Sequence, residues 1–167
     1  MLAITEKFTT GAPHFIETGH IEPAPLSEEI KNRVRETVFT ALDALEIRDS
    51  ASHAEFKLDE NDKVSIIEIG ARMGGDCIGS DLVYLSTGND YVKMVIDVAC
   101  GKEPEIWEND ERKRNAAIRF LMSKEDWKLL AAAKQELCVT DEDINDVSET
   151  NKHEVVDSSS RYGYFIV

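Results

Sequence analysis

Two stretches of sequence decide the fold: residues 53–58, which read HAEFKL, and residues 64–76, which read VSIIEIGARMGGD. In both, apolar and polar residues alternate over much of the stretch, and this period of two predicts β-strands. The five residues between them, DENDK, are all polar and suit a tight turn. We therefore expect an antiparallel hairpin followed by a glycine-rich loop.

The hairpin alternation also predicts which side chains share a face. If Asn61 and Asp62 form the turn, Glu55 faces Glu68 and Phe56 faces Ile67. One face is then apolar and suits a core, with Ala54, Phe56, Ile67, Ile69 and Ala71. The other face carries Glu55, Lys57, Ile66, Glu68, Gly70 and Arg72.

Two carboxylates are thus expected as cross-strand neighbours, where like charges destabilise a sheet. A divalent cation would offset the repulsion between Glu55 and Glu68, and Mg²⁺ takes such oxygen ligands together with phosphates. The alternative is a solvated face on which the glutamates pair with Lys57 and Arg72. The spacing leaves both interpretations open.

The rest of the chain predicts an α+β fold with antiparallel pairing. We expect a lobe over residues 1–110 and a small β-rich subdomain over residues 111–167, with residues 102–114 as a linker or surface loop. Predicted strands are Leu2–Glu6, His14–His20, Asn115–Met122, His153–Asp157 and Tyr162–Val167. Predicted helices are Ser27–Ile47, Asp81–Leu85, Asp90–Ala99 and Glu125–Leu137.

Composition excludes some partners. The 167 residues carry a formal net charge of −14, which is the wrong sign for nonspecific nucleic-acid or anionic-membrane binding. The three cysteines are far apart and form no CxxC pair, so neither a zinc site nor a disulfide framework is expected. Neither a signal peptide nor a membrane span is predicted, and we expect a cytoplasmic protein.

The strings HAEFKL and IIEIGARMGG resemble the ATP-grasp superfamily, in the branch of carbamoyl-phosphate synthase-like proteins and L-amino acid ligases. The resemblance implies the large C-terminal lobe of an ATP-grasp fold, an antiparallel sheet with packed helices, plus a small β-rich C-terminal appendage. It implies Mg²⁺ (or Mn²⁺) and ATP as cofactors. Glu55 and Glu68 match the metal glutamates, and Arg72 matches the catalytic arginine that contacts phosphate or an acyl-phosphate.

The resemblance also marks a substrate side and one departure. His20 and Asp76, with Gly74 and Gly75, match positions that line the substrate in this branch. For His20 the alternative is a locally bonded strand histidine, and for Asp76 a turn or helix-capping residue. The family asparagine, a further metal ligand, is Gly70 here, so one metal ion is expected to be held more weakly or through water.

The implied activity is an ATP-dependent carboxylate–amine ligase that works through an acyl-phosphate on a small carboxylate substrate. The resemblance covers most of the chain and begins inside the larger lobe, and Val167 ends the chain within an apolar strand pattern. We therefore expect a fragment that lacks the N-terminal ATP-clamping lobe, has a truncated C-terminal subdomain and is inactive alone. One alternative is a subunit of a split enzyme, in which a second chain supplies the missing lobe. Another is a non-catalytic relic or binding module.

Overall fold

The computed structural model describes residues 1–107, 114–136, 139–145 and 154–167. Backbone contacts divide the chain into two compact units. Unit one comprises Met1–Ile4 and Ala24–Arg114, and unit two comprises Thr5–Pro23 and Asn115–Val167. The division into domains 1–110 and 111–167 stays a prediction, but the contacts group residues 5–23 with the C-terminal residues, because a strand from that segment enters their sheet.

The described elements follow one another in the chain as mixed strands and helices. They are β1 (Glu6–Thr9), β2 (Glu17–Glu22), α1 (Glu28–Ala44), β3 (His53–Leu58), β4 (Val64–Gly70), a π-helical turn (Ile78–Leu82), α2 (Val83–Thr87), α3 (Tyr91–Ala99), β5 (Ala116–Leu121), α4 (Lys124–Glu136), β6 (Asp141–Ile144), a 3₁₀ turn (Ser158–Ser160) and β7 (Gly163–Ile166). The predicted α+β class with antiparallel pairing is confirmed.

Helix α1 forms where its capping residues predict it. The Ser27 hydroxyl accepts a hydrogen bond from the Ile30 N–H at 3.3 Å, and Glu28 and Glu29 occupy the positive first turn. Its apolar face contributes Val34 to the core of unit one. That core also includes Ile4 and Ala24, and Ile30, Val38, Phe56, Leu58 and Val64 pack against it. The helix therefore supports the hairpin of β3 and β4 from one side.

The hairpin is confirmed, but its register is not uniform. Glu55 pairs with Glu68 as predicted, whereas Phe56 pairs with Ile66 and not with Ile67. An extra residue on β4 creates a β-bulge, which a hydrophobic alternation cannot reveal. The predicted faces of these two isoleucines were wrong: Ile66 opposes the core residue Phe56, and Ile67 is 57% exposed.

The predicted helix Asp90–Ala99 is confirmed, and the predicted helix Asp81–Leu85 is helical but spans the end of a π-helical segment and the start of α2. The Asp90 carboxylate caps α3 by accepting the Lys93 N–H at 2.8 Å, and Gly88 ends α2 with a φ of 77°. One π-helical turn, Ile78–Leu82, precedes α2 and was not predicted. None of the helices in the described ranges is long and apolar enough to cross a membrane.

Unit two is built on a five-stranded sheet with the order β1-β2-β5-β7-β6, in which each described pair is antiparallel. Strand Asn115–Met122, helix Glu125–Leu137 and strand Tyr162–Val167 are confirmed within a few residues, although Leu137 lies outside the described ranges. The predicted strands Leu2–Glu6 and His14–His20 were placed too early, since β1 begins at Glu6 and β2 at Glu17.

Two elements near the C-terminus differ from the prediction. β6 reads DEDI, whose acidic run shows no apolar alternation, and it was not predicted as a strand. The predicted strand His153–Asp157 is wrong where it is described: residues 154–157 form no strand, and His153 lies outside the described ranges. There the Asp157 carboxylate instead caps the short 3₁₀ turn that follows.

Candidate functional site

The two predicted metal glutamates lie directly opposite one another. The ladder from His53 to Glu55 is regular, with His53 paired to Gly70, Ala54 to Ile69 and Glu55 to Glu68. Directly opposed residues of an antiparallel pair project to the same side of the sheet, with Cβ atoms about 4.5–5.5 Å apart. One face of the hairpin therefore carries His53, Glu55, Glu68 and Gly70.

Each glutamate has a basic neighbour on its own strand. His53 Nε2 lies 3.6 Å from Glu55 Oε1, and Arg72 Nη2 lies 3.7 Å from Glu68 Oε1. Both distances exceed the usual hydrogen-bond range, so neither contact is a hydrogen bond of normal length. The side chains of Glu55 and Glu68 are 33% and 62% exposed, so a cation can approach from solvent.

Arg72 lies beside this pair of glutamates and is held by the backbone. Its Nη1 donates a hydrogen bond to the Met73 carbonyl at 2.8 Å. A Cβ atom on Gly70 would come within 3.2 Å of Arg72 Cγ, so the aliphatic stem of the arginine lies over the glycine. The guanidinium is exposed and suits a phosphate or carboxylate group.

The glycine-rich loop after β4 approaches the same strands. A Cβ on Gly74 would lie 2.9 Å from His53 Nδ1, whereas a Cβ on Gly75 would meet no heavy atom within 4 Å. Gly75 begins a type I′ turn, closed by the Ile78 N–H to the Gly75 carbonyl at 2.9 Å. Asp76 and Cys77 occupy its corners with φ values of 49° and 60°.

Asp76 lies in the turn that precedes the π-helical segment Ile78–Leu82, and the N-cap of that segment is Cys77 and not Asp76. The positive φ is costly for residues other than glycine, asparagine and aspartate. Asp76 is thus a turn residue, which was the alternative interpretation from the sequence. Its contact with substrate stays a prediction.

The donor set fits a hard cation held in part by other groups. Within the residues that the structure describes, no three or more His, Cys, Asp and Glu side chains are grouped to hold a metal ion. Two carboxylates remain, and Mg²⁺ in proteins is often bound by one or two carboxylates plus water and phosphate oxygens. Glu55 and Glu68 are the residues that would hold such an ion.

His20 belongs to unit two and is described there. It lies on β2 and is 1% exposed, and its ring meets the Phe120 ring edge-on with centroids 5.5 Å apart. Arg161 covers the same aromatic ring, with its guanidinium carbon 3.8 Å from the ring centroid and Nη2 2.9 Å from Glu17 Oε2. The other six predicted site residues all lie in unit one.

Sequence reasoning missed His53 as a neighbour of the site. The signal was present, because a residue two positions before Glu55 on a strand must share its face. The contact between Glu17 and Arg161 had no such local signal, since the two residues are far apart in sequence.

Comparisons with known proteins identify a domain family over the part of the chain that holds these residues. Residues 1–81, which include all seven predicted site residues, match the family model described as an ATP-grasp domain. The alanine–anticapsin ligase of Bacillus subtilis (strain 168) is 33% identical over 93 residues, which are 55% of this chain and 20% of that protein.

Two solved structures extend the comparison to almost the whole chain. The L-amino acid ligase from Bacillus licheniformis has a TM-score of 0.79 and 25% identity, and the match covers 99% of this chain and 42% of that one. The biotin carboxylase domain of Hydrogenobacter thermophilus 2-oxoglutarate carboxylase, in complex with MgADP, has a TM-score of 0.59 at 18% identity. That match covers 99% of this chain and 37% of the carboxylase domain, and it is a likeness of fold alone.

The chain spans a fifth of the alanine–anticapsin ligase and less than half of either solved structure. Within that span, the family model is an ATP-grasp domain, and the similar sequence and the similar fold with a TM-score of 0.79 both come from ligases. Residues 1–81 thus match the ATP-grasp domain family, and nearly the whole chain shares its fold with an L-amino acid ligase.

Proposed function

We propose that this chain supplies the metal- and phosphate-binding face of an ATP-dependent carboxylate–amine ligase. Glu55 and Glu68 hold Mg²⁺ (or Mn²⁺) against the phosphates of ATP, and Arg72 contacts the transferring phosphoryl group. The observation that carries the proposal is the direct opposition of Glu55 and Glu68 in a hairpin of an ATP-grasp chain.

The proposed reaction has two steps. An oxygen of the substrate carboxylate attacks the γ-phosphorus of ATP, ADP leaves, and an acyl-phosphate forms. The amine nitrogen then attacks the acyl carbon, phosphate leaves, and the nitrogen loses a proton as the amide bond forms. The bound cation supplies neutralisation of phosphate charge during the first step.

The residues of this chain contribute position and charge rather than covalent chemistry. Phosphoryl transfer depends mainly on alignment and on fixed charges directed at the transferring group. Arg72 is suited to this, because the Met73 carbonyl and the Gly70 surface restrict where its guanidinium can lie. From the family resemblance we also propose substrate contacts for each of His20, Gly74, Gly75 and Asp76.

The names of the relatives narrow the substrate class. One is an alanine–anticapsin ligase and another is an L-amino acid ligase, so we propose an amino acid as the small carboxylate substrate. Because the chain covers only part of each, the complete reaction is proposed for the assembled ligase. We expect no ATP turnover from these 167 residues alone, and turnover by them would contradict that expectation.

Calorimetric titration of the chain with Mg²⁺ and ADP tests the proposed face. We expect binding that Glu55→Ala and Glu68→Ala each weaken at least tenfold. Glu60→Ala is the matched control, since Glu60 is an exposed glutamate in the hairpin turn. Binding that both site variants leave intact would defeat the metal site, and no binding at all would favour a non-catalytic module.

A further inference from the structure

His53 lies between the glycine-rich loop and the first proposed metal ligand. Its side chain is 17% exposed, and its Nε2 is 3.6 Å from Glu55 Oε1. His53 and Glu55 are two residues apart on β3, so both project onto the face that carries Glu68. We propose that His53 is a positioning residue that directs the Glu55 carboxylate toward Glu68, an inference that rests on the proposed function.

The loop fixes the imidazole from its other side. A Cβ on Gly74 would lie 2.9 Å from His53 Nδ1, 3.2 Å from Cε1 and 3.2 Å from Ile78 Cβ. Real Cβ atoms almost never approach other atoms so closely, so the imidazole of His53 occupies space that is open only because residue 74 is a glycine. With Nδ1 against the Gly74 backbone, the opposite nitrogen, Nε2, is the one that faces Glu55.

The chemistry of imidazole favours a hydrogen bond from His53 to the Glu55 carboxylate over direct coordination of the cation by His53. Mg²⁺ prefers oxygen ligands, and imidazole suits softer metals. The described residues also contain no three-member group of His, Cys, Asp and Glu arranged for a metal. A shift of about 0.6 Å would bring Nε2 into hydrogen-bond range of the Glu55 carboxylate, and such outer partners orient metal ligands.

The residue opposite His53 adds weight to this role. His53 pairs across the ladder with Gly70, which has no side-chain oxygen to offer a cation. The two carboxylates must therefore supply all the side-chain oxygens that this part of the hairpin contributes. Their orientation then matters more, and His53 lies beside Glu55 on the same face.

Manganese titration of the full chain tests the inference, with free Mn²⁺ measured by electron paramagnetic resonance in the presence of ADP. His53→Phe keeps the ring volume but removes the donor, and we expect the Mn²⁺ affinity to fall about 10–100-fold. His53→Gln places an amide N–H near the Nε2 position, and we expect it to retain affinity within about threefold of the native chain. His14→Phe is the control, because His14 is exposed in a loop of unit two.

A second variant keeps the imidazole and moves it. Gly74→Ala places a methyl group against His53 Nδ1, and we expect a loss of Mn²⁺ affinity in the same direction as His53→Phe. If His53→Phe fails to fold, as judged by circular dichroism, the Mn²⁺ affinities of Gly74→Ala and His53→Gln are compared with that of the native chain. Weaker binding by Gly74→Ala together with native-like binding by His53→Gln then supports the inference, and any other result overturns it.

The outcomes separate the inference from the function beneath it. If the native chain binds no Mn²⁺, or if Glu55→Ala and Glu68→Ala leave binding intact, the proposed function fails and the inference fails with it. If those two variants lose binding while His53→Phe binds like the native chain, the inference alone is overturned. It is also overturned if His53→Gln binds as weakly as His53→Phe, because the donor is then irrelevant.

Discussion

Glu55 lies directly opposite Glu68 in the ladder of β3 and β4, and the ladder changes register one residue beyond Glu55. The bulge at that point lets Phe56 face the core with Ile66 while the two carboxylates stay in register on the other face. β-bulges are common beside active sites, where they redirect individual side chains. The hairpin thus keeps two like charges adjacent, an arrangement that costs stability unless a cation binds.

Removing one of these charges should therefore stabilise the metal-free chain. For Glu68→Gln we expect the free energy of unfolding of unit one to rise by a few tenths of a kcal/mol, up to about 1 kcal/mol. The lost contact with Arg72 is exposed and offsets little of this. Mn²⁺ affinity should fall in the same variant, because stability and binding compete at this pair.

Urea unfolding in the presence of EDTA measures the first effect. The chain has two tryptophans, Trp107 in unit one and Trp127 in unit two, so a Trp127→Phe background reports on unit one. Glu60→Gln in the exposed turn is the control and should change nothing measurable. A lower stability for Glu68→Gln would mean that the carboxylates do not repel one another in the free chain.

Much of unit one was predictable because its signals are local. Ser27 followed by two glutamates predicts the start of α1, and the alternation around Glu55 and Glu68 predicts the hairpin. The predicted pairing of Glu55 with Glu68 was correct for a partly wrong reason. The assumed turn displaced the register by one residue, and the unpredicted bulge at Ile67 restored it.

The less predictable features depend on tertiary contacts. β6 reads DEDI and becomes a strand only because it pairs with β7 at the sheet edge. The Arg161 contacts with Glu17 and Phe120 join residues that are remote in sequence. Arg72 and Gly74 were predicted as site residues. The packing of Gly74 against His53 was not, because it depends on how the loop after β4 folds back onto β3.

Gly70 offers a test of how much the missing side-chain oxygen matters. A Cβ at this position would meet Arg72 Cγ at 3.2 Å, and a flexible arginine can move aside at small cost. For Gly70→Asn we expect tighter Mn²⁺ binding by about 3–10-fold, because an amide oxygen joins the carboxylates on the same face. Manganese titration with ADP measures it.

Gly70→Ala is the matched control for that substitution. It adds the Cβ and displaces Arg72 in the same way, but it brings no oxygen, so its Mn²⁺ affinity should not exceed that of the native chain. If alanine and asparagine tighten binding equally, the gain comes from moving Arg72 and not from a new ligand.

Gly79 should tolerate a side chain much less well than Gly75. A Cβ on Gly79 would lie 2.9 Å from Met73 Cβ and 3.1 Å from the Gly74 carbonyl oxygen, whereas a Cβ on Gly75 meets nothing within 4 Å. We expect Gly79→Ala to destabilise unit one by about 1–3 kcal/mol through overpacking. Gly75→Ala should stay within about 0.5 kcal/mol of the native chain.

Trp107 fluorescence in urea, again with Trp127→Phe, compares these two alanine variants. Equal stabilities would show that the turn from Gly75 to Ile78 moves freely enough to absorb the methyl group. The backbone of Gly74 would then not restrict the position of the His53 ring.

The join between β5 and α4 in unit two is made by one buried carboxylate. Asp126 is 2% exposed, and its Oδ1 accepts Arg119 Nε and Nη2 at 2.8 and 2.6 Å. Its Oδ2 accepts the N–H groups of Met122 and Ser123 and the Ser123 hydroxyl at 3.0, 2.9 and 2.8 Å. Burial raises the pKa of Asp126, but these hydrogen bonds outweigh it and hold the pKa below its usual value.

For Asp126→Asn we therefore expect a loss of about 2–4 kcal/mol in the free energy of unfolding at pH 7, since Arg119 and two N–H groups lose a charged acceptor. A depressed folded-state pKa contributes stability that is complete above the unfolded pKa of about 3.9 and disappears as the pH falls through the folded-state pKa. The difference in the free energy of unfolding between the native chain and the variant should thus be largest near neutral pH and shrink below about pH 4.

Trp127 fluorescence in a Trp107→Phe background measures this difference. Glu125→Gln is the control, because the pair of Glu125 with Lys128 is exposed, and we expect it to stay within about 0.5 kcal/mol of the native chain. A loss of equal size at pH 3 and pH 7 would mean that Asp126 acts through packing and not through its charge.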